Sequence, residues 1–157
     1  MSSIAMRKRA RQYSPIIVVE DNDEDFYALT RFFKKEKCPN PIVRYSDGES
    51  CLDKLISAEE NESANRPVIE EAHPCLILLD LNLPGTDGHA VLKRLKSHAR
   101  TKQIPITILT SSSREQDVRE CYESGANAYM LKPVDYGEYS QIMSRMATFW
   151  LETVELP

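Results

Sequence analysis

At 157 residues the chain has the length of one domain and enough material to bury a core. Its 41% apolar and 28% charged content is that of an ordinary globular protein, which argues against a disordered or membrane-embedded chain. The net charge of −4 hides an asymmetry: residues 1–14 hold Arg7, Lys8, Arg9 and Arg11 and no acid, so the remainder carries −8. The basic stretch reads as a solvated, disordered tail rather than a nucleic-acid or membrane arm. It lacks the apolar segment of a secretory signal, and no run approaches the ~18 apolar residues of a membrane span. Cys38, Cys51, Cys75 and Cys121 form no CxxC pair and read as reduced packing thiols of a cytoplasmic protein. His73, His89 and His98 lack zinc-ligand spacing, which argues against a metal role for them.

The first strand is expected at Ile16–Glu20, followed by a helix capped by Asp23 and carrying Phe26, Leu29 and Phe33 at helical spacing. Pro39-Asn-Pro41 ends that helix, and Pro41–Tyr45 reads as the second strand. Asp47-Gly48 turns into a helix with Cys51, Leu52, Leu55 and Ile56, and the polar Glu59–Pro74 stretch reads as a long loop. Cys75–Asp80 is the third strand; after the Pro84-Gly85 turn, Asp87 starts a helix with Val91, Leu92 and Leu95. Ile104–Thr110 is the fourth strand. Ser111-Ser-Ser113 leads to a helix with Val118, Cys121 and Tyr122 that Gly125 ends. The fifth strand is Ala128–Leu131. The last helix runs from about Asp135 to about Thr153, with Tyr139, Ile142, Met146, Phe149 and Trp150 on one stripe. Strand–helix alternation without hairpin signals predicts βα units and a parallel sheet. Right-handed crossovers favour a doubly wound α/β fold of five strands in the order 2-1-3-4-5, flavodoxin-like.

Four of these strands end in reactive groups: Glu20-Asp21, Asp80, Thr110 and Lys132. In a parallel α/β sheet the carboxyl ends of the strands line one crevice. Three carboxylates converging there repel one another and favour a shared Mg²⁺, which prefers oxygen ligands and retains waters. Asp80 then serves as metal neighbour and nucleophile, since carboxylates form aspartyl phosphates. Lys132 supplies a compact positive charge and Thr110 a hydroxyl for phosphoryl oxygens; phosphoryl transfer needs chiefly this positioning and neutralisation.

The segment Asp80-Leu-Asn-Leu-Pro-Gly-Thr-Asp-Gly88, together with Glu20-Asp21, Thr110 and Lys132-Pro133, resembles the receiver domain of bacterial two-component response regulators from about Ile16 to Met146. The resemblance implies that Asp80 is the phosphoacceptor, Asp21 a direct Mg²⁺ ligand, Glu20 a ligand through water and Asn82 a ligand by its backbone carbonyl. It implies that Thr110 and Tyr129 are the switch pair, that Ser111 is the small residue beside the phosphoryl site, and that Lys132 precedes a cis peptide bond to Pro133. Asn82 and Ser112 are expected to influence the lifetime of the phosphorylated state.

A narrower set looks like the small regulators that serve bacterial phytochromes. It comprises Leu109-Thr-Ser-Ser112, Asp117-Val118, Cys121-Tyr122, Gly125-Ala-Asn-Ala-Tyr-Met130, Lys132-Pro-Val-Asp135 and the ending Phe149-Trp-Leu-Glu-Thr-Val-Glu-Leu-Pro157. That ending extends the receiver from about residue 149, within a single domain over 15–157. With no residue after Pro157, a stand-alone regulator is expected. The resemblance implies that a sensor histidine kinase, a bacteriophytochrome, would phosphorylate it, and its output would pass to a protein target or a phosphotransfer protein. The apolar last helix and its extension suggest a homodimer. The alternatives are a degenerate receiver that binds partners without phosphorylation, a haloacid-dehalogenase-type phosphatase, and a nucleic-acid binder. Asn82 argues against the phosphatase, which wants an aspartate there as general acid; the nucleic-acid binder lacks a groove-entering motif. The chain is therefore expected to take up and slowly hydrolyse its own phosphoryl group, and not to be a turnover enzyme.

Overall fold

The computed structural model describes residues 11–56 and 73–157. Five strands alternate with five helices: β1 Ile16–Val19, α1 Asp23–Lys35, β2 Ile42–Tyr45, α2 Gly48–Leu55, β3 Leu76–Leu79, α3 Gly88–Ser97, β4 Ile106–Thr110, α4 Glu115–Glu123, β5 Ala128–Leu131 and α5 Tyr136–Ala147. The sheet is parallel with order β2-β1-β3-β4-β5, as the alternation predicts. β1, β3 and β4 are buried along their whole length. This is why they read as continuous apolar runs and not as alternation.

The strand period of two sorts the core into two layers. Ile17, Val19, Ile77, Leu79, Ile106 and Ile108 pack with Cys51, Leu52, Val91, Leu92, Leu95 and Cys121 from α2, α3 and α4. On the other face Ile16, Val18, Leu76, Leu78 and Leu109 meet Leu29, Phe32 and Phe33 of α1 and Tyr139, Met143 and Met146 of α5.

Several boundaries differ from the sequence expectation. Glu20 and Asp80 lie just past their strands, and β4 starts at Ile106, after Pro105. The N-cap of α1 is Asn22, whose Oδ1 accepts from the Asp25 N–H at 2.9 Å; Asp23 is the first helical residue. The expected 59–74 loop falls mostly outside the described residues.

The last helix is α-helical only to Ala147. A π-helical turn, Thr148–Thr153, follows, closed by the Val154 N–H on Phe149 O at 2.9 Å. Beyond it the chain packs back on its own domain: Trp150 is buried, and Leu151, Val154 and Leu156 lean on the α1–α5 layer. Met143 completes the buried stripe, Ile142 is half-buried and Phe149 faces out. Arg11, expected in the loose tail, donates to Val154 O at 2.9 Å and Trp150 O at 3.0 Å, satisfying carbonyls that a helix end leaves free. Asn40 Nδ2 donates to Arg11 O and Ser14 O at 2.7 and 2.8 Å, so residues 11–14 are held; residues 1–10 lie outside the described part.

Candidate functional site

The parallel ladder continues one residue beyond each strand and aligns the chemistry. The Glu20 N–H reaches Tyr45 O, the Asp80 N–H reaches Val19 O and the Lys132 N–H reaches Thr110 O, at 2.8–3.0 Å. Glu20, Asp80, Thr110 and Lys132 thereby stand at one level of the sheet's carboxyl edge.

Gly88 sets the loop that follows Asp80. A Cβ there would lie 2.6 Å from Asp80 O and 2.5 Å from Leu81 Cα, so only glycine lets α3 start this close to the end of β3. The Gly88 N–H closes the loop onto Leu81 O at 3.2 Å, and Asp87 caps α3 through the His89 N–H at 3.1 Å.

Lys132 Nζ is the hub. It donates to Asp80 Oδ2 at 2.7 Å, to Asp25 Oδ2 at 2.8 Å and to Glu20 Oε2. All three ammonium hydrogens are thus used. The remaining oxygens of the two buried acids are held by backbone: Asp80 Oδ1 accepts from the Asn82 N–H at 3.1 Å and Glu20 Oε1 from the Asn22 N–H at 3.0 Å. Burial pushes the Glu20 carboxyl up, against the pull of Lys132. Burial would by itself push Lys132 down, but its hydrogen bonds to Asp25, Asp80 and Glu20 prevail and hold it above the usual lysine range. The lysine is therefore a permanent cation.

The Lys132–Pro133 bond corrects an expectation. It is trans, as is every described peptide bond. Lys132 is aimed inward by its three ion pairs and by its backbone bond to Thr110, with no need of a cis bond.

Glu20, Asp21 and Asp80 each present a carboxylate oxygen within 4.8 Å of the others. Glu20, Asp25 and Asp80 share the one ammonium, and Asp21 adds a fourth carboxylate beside them. That uncompensated charge and all-oxygen donor set fit a hard divalent cation such as Mg²⁺.

Thr110 is fully buried, and its Oγ1 accepts from the Ser112 N–H at 3.4 Å. Tyr129 is half-buried, and its hydroxyl donates to Ser112 O at 2.8 Å. The expected switch pair is therefore joined through Ser112. Ser111 and Asn82 are exposed at the rim.

Sequence reasoning assigned no site role to three participants. Asp25 stands one helical turn after Asp21, where an acid reads as a favourable charge at a helix N-terminus; its tie to Lys132 spans 107 residues. Arg44 on β2 clamps the acidic turn, donating to Glu20 O at 2.9 Å and Asp21 O at 3.1 Å, pairing with Asp23 at 2.7 Å and lying 4.6 Å over the Phe26 ring. Asp117 accepts from Ser112 Oγ and, at 2.9 Å, from Arg114 Nε. Arg114 foremost, then Ser112, holds its carboxyl down at about 2. Nothing in the local pattern of Arg44 marks it, and Asp117-Val118, although part of the phytochrome-regulator resemblance, carries no sign of its partners.

A doubly wound sheet with a buried aspartate, an acidic pair and a lysine at its carboxyl edge defines a receiver domain. The family model for the response regulator receiver domain matches residues 16–144, and the chain belongs to that family. It is a receiver of two-component signal transduction, a family in which phosphorylation on aspartate is typical and whose members pair with sensor histidine kinases. It is close to phytochrome-associated regulators. Response regulator Rcp1 of Synechocystis sp. is 34% identical over 142 residues, 90% of this chain and 92% of that protein. The crystal structure of the phosphorylated cyanobacterial phytochrome response regulator RcpA superposes with a TM-score of 0.80 at 34% identity, over 92% of this chain and 99% of that one. The Mn²⁺-bound form of Rcp1 gives a TM-score of 0.78 at 34% identity, over 92% and 99% of the two chains.

Proposed function

We propose that Asp80 accepts a phosphoryl group from a sensor histidine kinase, with Mg²⁺ held by Asp21, Asp80, the Asn82 carbonyl and, through water, Glu20. The observation that carries this reading is the contact of Lys132 Nζ with Asp80 Oδ2 at 2.7 Å inside a ring of carboxylates. An Asp80 oxygen attacks phosphorus, the new O–P bond forms, and the P–N bond to the kinase histidine breaks. Mg²⁺, when bound, offsets charge on the phosphoryl oxygens. Lys132 gives up a carboxylate partner to meet one of those oxygens. Thr110 donates its hydroxyl to another, which loosens its link to Ser112. Tyr129, bonded to the same Ser112, then moves inward. A water oxygen then slowly attacks phosphorus, the Asp80 O–P bond breaks and inorganic phosphate leaves, so the protein ends its own signal; Asn82 and Ser112 tune that rate.

The kinase proposed is a bacteriophytochrome, a reading supported by the likeness to RcpA and Rcp1. Residues 15–157 act as one cytoplasmic receiver unit, and the output passes by contact with a protein target or phosphotransfer protein. Among the described residues no helix is long and apolar enough to cross a membrane. We also propose a homodimer through the outer side of the β5–α5 region. There Leu131, Tyr136 and Phe149 are 46, 45 and 49% exposed, while the C-terminal segment itself folds back.

The test is incubation of the purified chain with a small phosphodonor and Mg²⁺. A stable mass gain that maps to Asp80 and vanishes in Asp80→Asn is expected. Steady donor turnover would instead mark a phosphatase, and the absence of any adduct a phosphorylation-independent binding module. Phosphotransfer from a panel of kinases that includes a phytochrome in both light states tests the partner. Sedimentation at high micromolar concentration tests the dimer.

A further inference from the structure

A second polar cluster lies outside the acidic crevice, between the start of α3 and the side of α4 that packs against it. His89 is half-buried there; its Nε2 is 3.2 Å from Asp117 Oδ1, and its Nδ1 is 3.6 Å from Cys121 Sγ and 3.9 Å from Glu120 Oε2. Asp117 is anchored by Arg114 and Ser112 and stays ionised, so it can only accept. The proton of a neutral His89 ring therefore sits on Nε2, and the Nδ1 lone pair faces Cys121 and Glu120.

We propose that His89 Nδ1, Cys121 Sγ and Glu120 Oε2 form a binding site for a borderline-soft dication of the Zn²⁺ class, with Asp117 orienting the histidine from behind. The spacing supports it. Zinc bonds of about 2.3 Å to sulfur and about 2.0 Å to nitrogen put tetrahedral ligands roughly 3.5 Å apart. The His89–Cys121 separation already has that length, and the half-exposed Glu120 carboxylate, 3.9 Å from Nδ1, turns its Oε2 toward Cys121 to complete the set. A carboxylate behind the ligating histidine is the recurrent partner that fixes tautomer and ring orientation at zinc sites.

Charge closes as well. A dication with one thiolate, one carboxylate and a neutral imidazole is neutral, and Asp117 and Arg114 neutralise each other. The donors differ from the all-oxygen set at Asp80, so the two sites select different ions. Gln116 Nε2 holds Glu120 Oε1 at 2.7 Å and leaves Oε2 toward His89. The half-exposed Glu120 side gives the ion its way in, and water takes the fourth position. Without metal, burial pushes the Cys121 thiol up to about 11, so binding releases a proton. Asp117 also touches Ser112, the residue that joins Thr110 to Tyr129, which links this site to the switch.

Co²⁺ titration of the full chain, with saturating Mg²⁺ on the acidic crevice, tests the proposal by absorbance. One equivalent should produce thiolate-to-cobalt charge transfer and tetrahedral d–d bands, and Zn²⁺ should displace it. Cys121→Ser should remove the charge-transfer band and Cys38→Ser should keep it. Half-buried His89→Gln should weaken binding without unfolding risk. Asp117→Asn should keep the band but weaken binding by about 10–100-fold. A wild type without a thiolate band overturns the site, as does a band that survives Cys121→Ser. Binding that is lost in Asp21→Asn and kept in His89→Gln also overturns it, since the ion then belongs to the acidic crevice.

Discussion

Asp25 on the first turn of α1 holds Lys132 Nζ at 2.8 Å, in competition with Asp80 at 2.7 Å for the same ammonium. In the reaction proposed above, phosphorylation of Asp80 would turn that ammonium toward phosphoryl oxygens. On that proposal Asp25 would act as a brake on the lysine, and it adds a negative charge that an incoming phosphoryl donor would meet.

Asp25→Asn should raise the rate of labelling by a small phosphodonor at saturating Mg²⁺. The Asp25 side chain is 46% exposed, so solvent screening limits the effect to about 0.2–1 kcal/mol, or roughly 1.4–5-fold. Lys132→Met should abolish efficient labelling. Quench-flow mass spectrometry measures both; an Asp25→Asn rate at or below wild type removes the brake.

Asp21→Asn should lower Mg²⁺ affinity by about tenfold or more while leaving the thermal midpoint near wild type, because its side chain is exposed and Glu20, not Asp21, pairs with Lys132. Calorimetric titration with Mg²⁺ reads the first and a melting curve the second. Unchanged Mg²⁺ affinity in this variant would remove Asp21 from the ligand set.

Gly88→Ala should cost about 1–3 kcal/mol of stability and slow phosphorylation together. The added methyl meets backbone, Asp80 O at 2.6 Å and Leu81 O at 2.8 Å, so the strain falls on the chain segment that carries the proposed acceptor. Urea unfolding and donor labelling on the same sample check it; a stable variant with slow labelling separates the two effects and limits the role of Gly88 to positioning.

Arg11→Ala should release the C-terminal segment, since two carbonyls, Trp150 O and Val154 O, lose their donor. Trp150 is 8% exposed and should then show a red-shifted emission and faster hydrogen exchange around Leu151. Emission identical to wild type would mean that Leu151, Val154 and Leu156 hold the segment by packing alone.

Brief alkylation of the native protein should modify Cys38 first. It is the half-buried thiol, whereas Cys51, Cys75 and Cys121 are buried, and desolvation raises them to about 12, 11 and 11. Peptide mapping that finds Cys75 or Cys121 reacting ahead of Cys38 would contradict the packing described.

The elements of the sheet were legible in the sequence because burial on both faces writes each central strand as an unbroken apolar run. Ile16–Val19 and Leu76–Leu79 are such runs, each closed by an acid that the buried strand cannot absorb. The strand order followed from chain connectivity and handedness, and with it the meeting of Glu20, Asp80, Thr110 and Lys132. Only the tertiary structure decided who shares the lysine. An acid on a helix's first turn serves the helix dipole whether or not a lysine lies across the crevice, so the sequence around Asp25 cannot report its partner. The C-terminal extension shows the same limit. Its apolar residues called for a cover, and the geometry of Arg11, Asn40 and the π-helical turn made that cover the chain's own α1–α5 layer. His89 has no ligand spacing along the chain. It meets Cys121 and Glu120 only because α3 and α4 pack side by side, and contacts between helices leave no period in the sequence of either.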